Sequence, residues 1–173
     1  GSLDNNDRVE IGKGTLPTFT YGASLGLTWR DFDFSLLLQG VGNHQVYYNN
    51  QAFRFVTVMG QSLIKDITDN AWTPENPYNS KYPILRNNSN AKNNIASDAF
   101  VHNAAYLRCK NIQLGYTVPR NITKKVYISN LKIYASIDNL FTITKFPGLD
   151  PEVGADVGYP AVRQYSLGIN LTF

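Results

Sequence analysis

The chain has 173 residues, with 16 basic and 13 acidic side chains and a net charge of +3, too small and too scattered to mark a nucleic-acid surface. Hydrophobic residues make up 43% of it, yet the longest apolar stretch inside a candidate strand is Leu36-Leu37-Leu38, whereas a membrane-spanning helix needs about 20 in a row. A single cysteine, Cys109, excludes an internal disulfide framework and reads as a small buried or membrane-facing hydrophobe.

The order along the chain is set by period-two alternation. From Phe19 the odd positions Phe19, Tyr21, Ala23, Leu25, Leu27 and Trp29 are apolar, while Thr18, Thr20, Gly22, Ser24, Gly26 and Thr28 are small or polar. A tight turn at Arg30-Asp31 leads into Phe32, Phe34, Leu36 and Leu38, which alternate with Asp33, Ser35 and Gln39, so the two segments read as a hairpin. A long loop follows, about 41–103, rich in Asn, Pro, Tyr and Ser, with a short helix expected around Ala52–Ile67. The third strand is expected over about Ala105–Thr117 and the fourth over about Leu131–Ile143. The fifth alternates most clearly, Tyr165, Leu167, Ile169, Leu171 and Phe173 against Gln164, Ser166, Gly168, Asn170 and Thr172.

Alternation of this kind fits either a soluble secreted β-sandwich, such as a glycan-binding module, or a transmembrane barrel. A structureless loop of this length is rare in a compact soluble domain. It is common on the outer side of a membrane barrel, where extracellular loops are long and periplasmic turns short. Strands of about ten residues and aromatic residues near strand ends, Trp29, Phe32 and Phe173, suit the same architecture. The expected fold class is therefore all-β, an antiparallel transmembrane β-barrel, of which this chain supplies about five strands with long extracellular loops.

Four segments resemble SusC/RagA-like TonB-linked importers. They are Asp7-Arg8 through Ile11-Gly12 with Pro17-Thr18-Phe19-Thr20-Tyr21-Gly22 and Gln39-Gly40-Val41; Trp72-Thr73-Pro74-Glu75-Asn76-Pro77 with Tyr82-Pro83; Asn103 to Arg108 with Lys110 to Tyr116 and Pro119; and Asn139-Leu140-Phe141-Thr142 with Pro147-Gly148-Leu149-Asp150-Pro151-Glu152, Tyr159-Pro160, Arg163 and the last strand. Cys109 departs from the aliphatic residue usual in such sequences, and Asn43–Met59 matches nothing in the pattern. The resemblance implies that residues 1–173 are the C-terminal part of a barrel of about 22 strands, the plug domain and earlier strands being absent. It also implies residence in the outer membrane of a Bacteroidetes-type bacterium, in contact with outer-membrane lipid. The implied activity is import of an oligosaccharide or peptide, with a SusD-like surface lipoprotein over the barrel and TonB reached through the missing N-terminal part. No enzymatic role is implied, and no cofactor is required.

Candidate site residues are few. After Gly1, the residues Ser2, Asp4 and Asp7 fit the seventh, ninth and twelfth places of a calcium loop whose first half would lie upstream; the alternative is an ordinary polar turn. The loop aromatics Tyr47, Tyr48, Trp72, Tyr78 and Tyr82 either contact ligand or partner or pack the loop against itself. Asp150 and Glu152 form a carboxylate pair on paper, but their Pro-Gly and Pro context reads as a shaped loop and not a hydrolytic site. His44 and His102 have no clustered partners that would make a metal site, and Arg120, Lys124 and Lys125 read as solvated turn residues.

Overall fold

A computed structural model describes residues 8–12, 14–48, 63–86, 95–155 and 158–173. Eight strands are present among them: β1 (Phe19–Trp29), β2 (Phe32–Gly42), β3 (Gln45–Tyr47), β4 (Val101–Asn103), β5 (Tyr106–Thr117), β6 (Asn130–Asp138), β7 (Thr142–Thr144) and β8 (Gln164–Thr172). The main sheet is antiparallel in the order β1-β2-β5-β6-β8, with β7 also paired to β5, and β3-β4 form a small separate ribbon. No helix among the described residues is long and apolar enough to cross a membrane.

The alternation read from the sequence is the alternation of the sheet. Leu25 stands opposite Leu36, Leu36 opposite Ile112, Ile112 opposite Ile137, and Ile137 opposite Tyr165. Side chains of neighbouring strands in register share one face, so these residues, with Leu27, Phe34, Leu114, Ala135 and Leu167, make one continuous apolar face. The opposite face carries Thr20, Ser24, Ser35, Gln113, Ser136, Ser166 and Asn170 from the same ladders. Two polar pairs tie that face across strands: Lys132 Nζ to Asp33 Oδ2 at 2.9 Å, passing over Gly115, and Asn111 Nδ2 donating to Asp138 Oδ1 at 2.8 Å.

Among the described residues nothing covers the apolar face. Leu167 is 87% exposed and Leu27 55%. A sandwich would bury this face against a second sheet, and the described residues supply none, so the soluble-sandwich expectation does not hold. The sheet is also open. Among the described residues β1 pairs only with β2 and β8 only with β6, so neither outer edge has a partner there.

The short links lie at one end. Arg30 closes the β1-β2 hairpin at φ 54°, a left-handed conformation that two-residue hairpins demand, and its guanidinium sits 5.1 Å from the Trp29 ring. The β5-β6 link holds a short helix of a single turn at Arg120–Thr123, followed by a 3-10 turn at Lys124–Val126. That helix was not anticipated. Pro119 starts it, where a fixed φ and a missing N–H cost little.

At the other end the β2-β5 loop is gathered by β3 and β4. Its helix runs over Lys65–Asn70, touching only the end of the expected Ala52–Ile67 segment, whose residues 52–62 lie outside those described. The fourth strand is broken where continuity was expected. Leu37 faces Asn111 but Leu38 faces Cys109, so Lys110 is an extra residue in β5, a β-bulge. On the other side Asn139 turns at φ 52° and donates to the Lys110 carbonyl at 3.0 Å, separating β6 from β7.

Candidate functional site

The end of the sheet that carries the long loops holds a buried polar cluster. Arg108 on β5 is 2% exposed and reaches three partners at once. Its Nη2 donates to Asp150 Oδ1 at 2.6 Å, its Nη1 to Glu152 Oε2 at 2.9 Å and its Nε to Thr142 Oγ1 at 2.8 Å. Glu152 also accepts from the Tyr106 hydroxyl at 2.8 Å and pairs with Lys110 Nζ at 2.7 Å. Asp150 is 4% exposed, and besides Arg108 it accepts from the backbone N–H of Glu152 at 2.9 Å and of Ala161 at 2.8 Å.

Burial alone would disfavour the Asp150 charge. The Ala161 and Glu152 N–H donors and the Arg108 guanidinium outweigh it and hold the carboxyl below the ordinary carboxylate range. Two carboxylates are thus matched by Arg108 and Lys110, with every strong donor and acceptor engaged. The arrangement leaves no free acid or base for hydrolysis. It is a clamp: the segment after β7 leaves the sheet, turns through Pro147-Gly148, and is pinned back onto β5 from both ends of its loop, through Asp150 and through Ala161.

Beside the clamp is a cleft of about 290 Å³, lined by Thr142 and Thr144 of β7, by Leu149, Asp150 and Pro151, and by Pro160, Ala161 and Arg163 of the returning segment. β7 pairs with β5 on one side, and β8 begins at Gln164 opposite Asp138, so the cleft occupies the wedge where the two segments part.

Two small apolar clusters hold the loops. Val46, Tyr48, Ala104 and Phe146 join the β3-β4 ribbon to the segment after β7, with the Tyr48 and Phe146 rings 5.1 Å apart and nearly edge-on. Ile67 and Phe100 form the other, flanked by Leu63, Ile64, Tyr82 and Leu85.

These clusters separate the five loop aromatics. Tyr48 is 3% exposed, so burial withdraws it from any partner surface. Tyr82 is half-buried and donates its hydroxyl to Asp66 Oδ2 at 2.5 Å, beside Lys81 Nζ on the same oxygen at 2.7 Å. Lys81 and Tyr82 together lower the Asp66 pKa, whereas burial and the Asp66 contact raise that of Tyr82. Both groups therefore brace the loop. Trp72 is partly exposed, and its backbone N–H donates to the Tyr82 carbonyl at 2.9 Å. Tyr47 lies edge-on to Phe100 at 6.0 Å and is 37% exposed. Tyr78 stands out fully, at 94%. The structure thus leaves Tyr78, Trp72 and Tyr47 on the surface without gathering them into one site.

Ser2, Asp4 and Asp7 lie outside the described residues, and among those described no group of three metal-ligating side chains occurs. His102 sits on β4, its pKa lowered by burial. The residue that sequence reasoning missed is Arg108. The only signal was a charged side chain within a strand, with an Asp-Pro-Glu sequence following a Pro-Gly bend elsewhere in the chain.

No family model matches the chain. Curated proteins do, along all of it. It is 32% identical over 178 aligned residues to the TonB-dependent receptor SusC of Bacteroides thetaiotaomicron and 30% identical over 191 to the TonB-dependent receptor P3 of Formosa agariphila. The match covers 100% of this chain in both cases but only 17% and 18% of those proteins. Among solved structures, the RagAB peptide transporter superposes with a TM-score of 0.81 at 28% identity, covering 99% of this chain and 19% of that one. The chain therefore spans less than a fifth of the length of the relatives it matches.

Proposed function

We propose that this chain, a segment of a SusC/RagA-like TonB-dependent receptor, forms part of the barrel wall of an outer-membrane importer of oligosaccharides or peptides. The observation that carries the reading is the uncovered apolar face. Five long strands present a continuous apolar surface to solvent on one side and a polar surface with ion pairs on the other, the reverse of what a soluble sheet tolerates. Lipid outside and water inside satisfy both faces. The two open edges require further strands, because unpaired backbone groups find no partner in hydrocarbon. As a wall element the chain acts by shape and closure and not by bond chemistry.

In this reading the Arg30-Asp31 turn and the 118–129 link are periplasmic, and the 43–105 and 145–163 loops are extracellular. A SusD-like surface lipoprotein covers the long-loop end, where Tyr78 and Trp72 are placed to meet it. A plug and the TonB contact belong to the remainder of such a receptor. Cysteine labelling tests the orientation, since the native Cys109 is fully buried. In the full-length receptor on intact cells, Tyr78→Cys should react with a membrane-impermeant maleimide and Arg30→Cys only after the outer membrane is opened. The reverse pattern refutes the orientation, and equal labelling of both in a soluble fraction refutes the barrel.

A further inference from the structure

We infer that the cleft beside β7 is a subsite for a carboxylate carried by the imported oligomer, with Arg163 as its cation. The inference rests on the importer reading above. Arg108 also lines the cleft, but its charge is spent on Asp150 and Glu152. Arg163 is different. Among the described residues it has neither an ion-pair nor a hydrogen-bond partner. The surrounding clamp is balanced, two cations against two carboxylates, so among the described residues the exposed Arg163 is the cleft cation without a counter-charge.

A second donor points the same way. Thr142 Oγ1 accepts from Arg108 and has no acceptor for its own O–H among the described residues. A guanidinium and a hydroxyl at one cleft match a carboxylate, which accepts at both oxygens. Leu149, Pro151 and Pro160 give the cleft apolar sides, with Pro151 buried and Leu149 65% exposed, so the cleft opens to solvent at the arginine. At about 290 Å³ the cleft lies at the low end of ligand pockets, roughly 300–1,000 Å³, room for one sugar ring or one amino-acid residue. The clamp sets its shape, because Asp150 accepts from the Ala161 N–H two residues before Arg163 and so ties that segment to β5.

A carboxylate of this kind comes from a peptide C-terminus or from a uronic acid, and matched probes separate the two. The full-length receptor, purified in detergent, is titrated calorimetrically with trialanine, trialanine amide, a trisaccharide ending in glucuronic acid, and its neutral glucose counterpart. The acid of one pair should bind about five- to tenfold tighter than its neutral partner, the margin of one charge-assisted hydrogen bond. Arg163→Gln should erase that margin and Arg163→Lys should keep part of it. The pair that shows the margin identifies the source. Equal affinity within both pairs, no binding of any probe, or a margin that survives Arg163→Gln each overturns the inference. None of these outcomes touches the barrel reading, which stands or falls on the labelling pattern at Tyr78 and Arg30.

Discussion

Placing an arginine at successive positions of β8 tests the two-faced wall directly. A strand rises about 3.4 Å per residue, and a tilt near 45° converts this to about 2.4 Å of depth per residue. Gly168 is the central residue of Gln164–Thr172, so Leu167 lies about 2–3 Å from the middle of an apolar band about 25 Å tall. Ser166 lies within about 5 Å of the same depth but on the other face, opposite Ser136. Phe173 is five residues from the centre, about 12 Å, at the edge of the band. Leu167→Arg should therefore cost about 2–4 kcal/mol, and Phe173→Arg about 0–1 kcal/mol. Ser166→Arg keeps its charge hydrated in the lumen and should also stay within about 1 kcal/mol. Denaturant titration of the full-length receptor in lipid vesicles, followed by tryptophan fluorescence, reads all three. Equal costs at Ser166 and Leu167 would mean that the faces are wrongly assigned. A cost at Phe173 as large as at Leu167 would mean that the depth argument fails.

Asp150→Ala strands two backbone N–H groups and unbalances a buried guanidinium, so it should cost about 2–4 kcal/mol and speed proteolysis within the 147–163 loop of the intact receptor. Because the Asp150 carboxyl is held below its ordinary range, its contribution is fully present above the unfolded value of about 3.9 and is lost as pH falls through the depressed folded value. Loop proteolysis should thus be flat from about pH 5 to 8 and rise only in stronger acid, and Asp150→Asn should abolish this dependence. A Cβ on Gly40 would run into the Tyr21 ring, whereas one on Gly26 meets nothing within 4 Å. Gly40→Ala should accordingly cost about 1–3 kcal/mol, and Gly26→Ala should be neutral or stabilising by up to about 1 kcal/mol in the same vesicle titration.

What was legible in the sequence is what period two encodes. Within the sheet each residue has two possible environments, and the composition of alternate positions chooses between them. That is why β1, β5 and β8 fall within a residue of their expected bounds, while β2 starts at the expected Phe32 and runs on to Gly42, into the start of the expected loop. Even the bulge left a trace. The apolar set of β5 is even at Ile112, Leu114 and Tyr116 but odd at Leu107 and Cys109, and only an extra residue reconciles the two parities. The break at Asn139–Phe141 follows from the bulge on the neighbouring strand and has no clear local signal of its own.

Beyond the sheet that code ends, and legibility ends with it. Arg108 and Asp150 are 42 residues apart, and neither neighbourhood specifies the other. Tyr48 and Tyr78 are the same residue type in the same polar loop, yet one is core and the other fully exposed, because tertiary contacts with Ala104 and Phe146 decide the matter. The same division explains where specificity can reside. A wall constrained on one face by lipid and on the other by water leaves its strands little freedom to differ in function. On the importer reading the loops at the far end of the sheet carry no such constraint, so a charge such as Arg163, placed by a clamp that the strand anchors, would be free to differ between receptors.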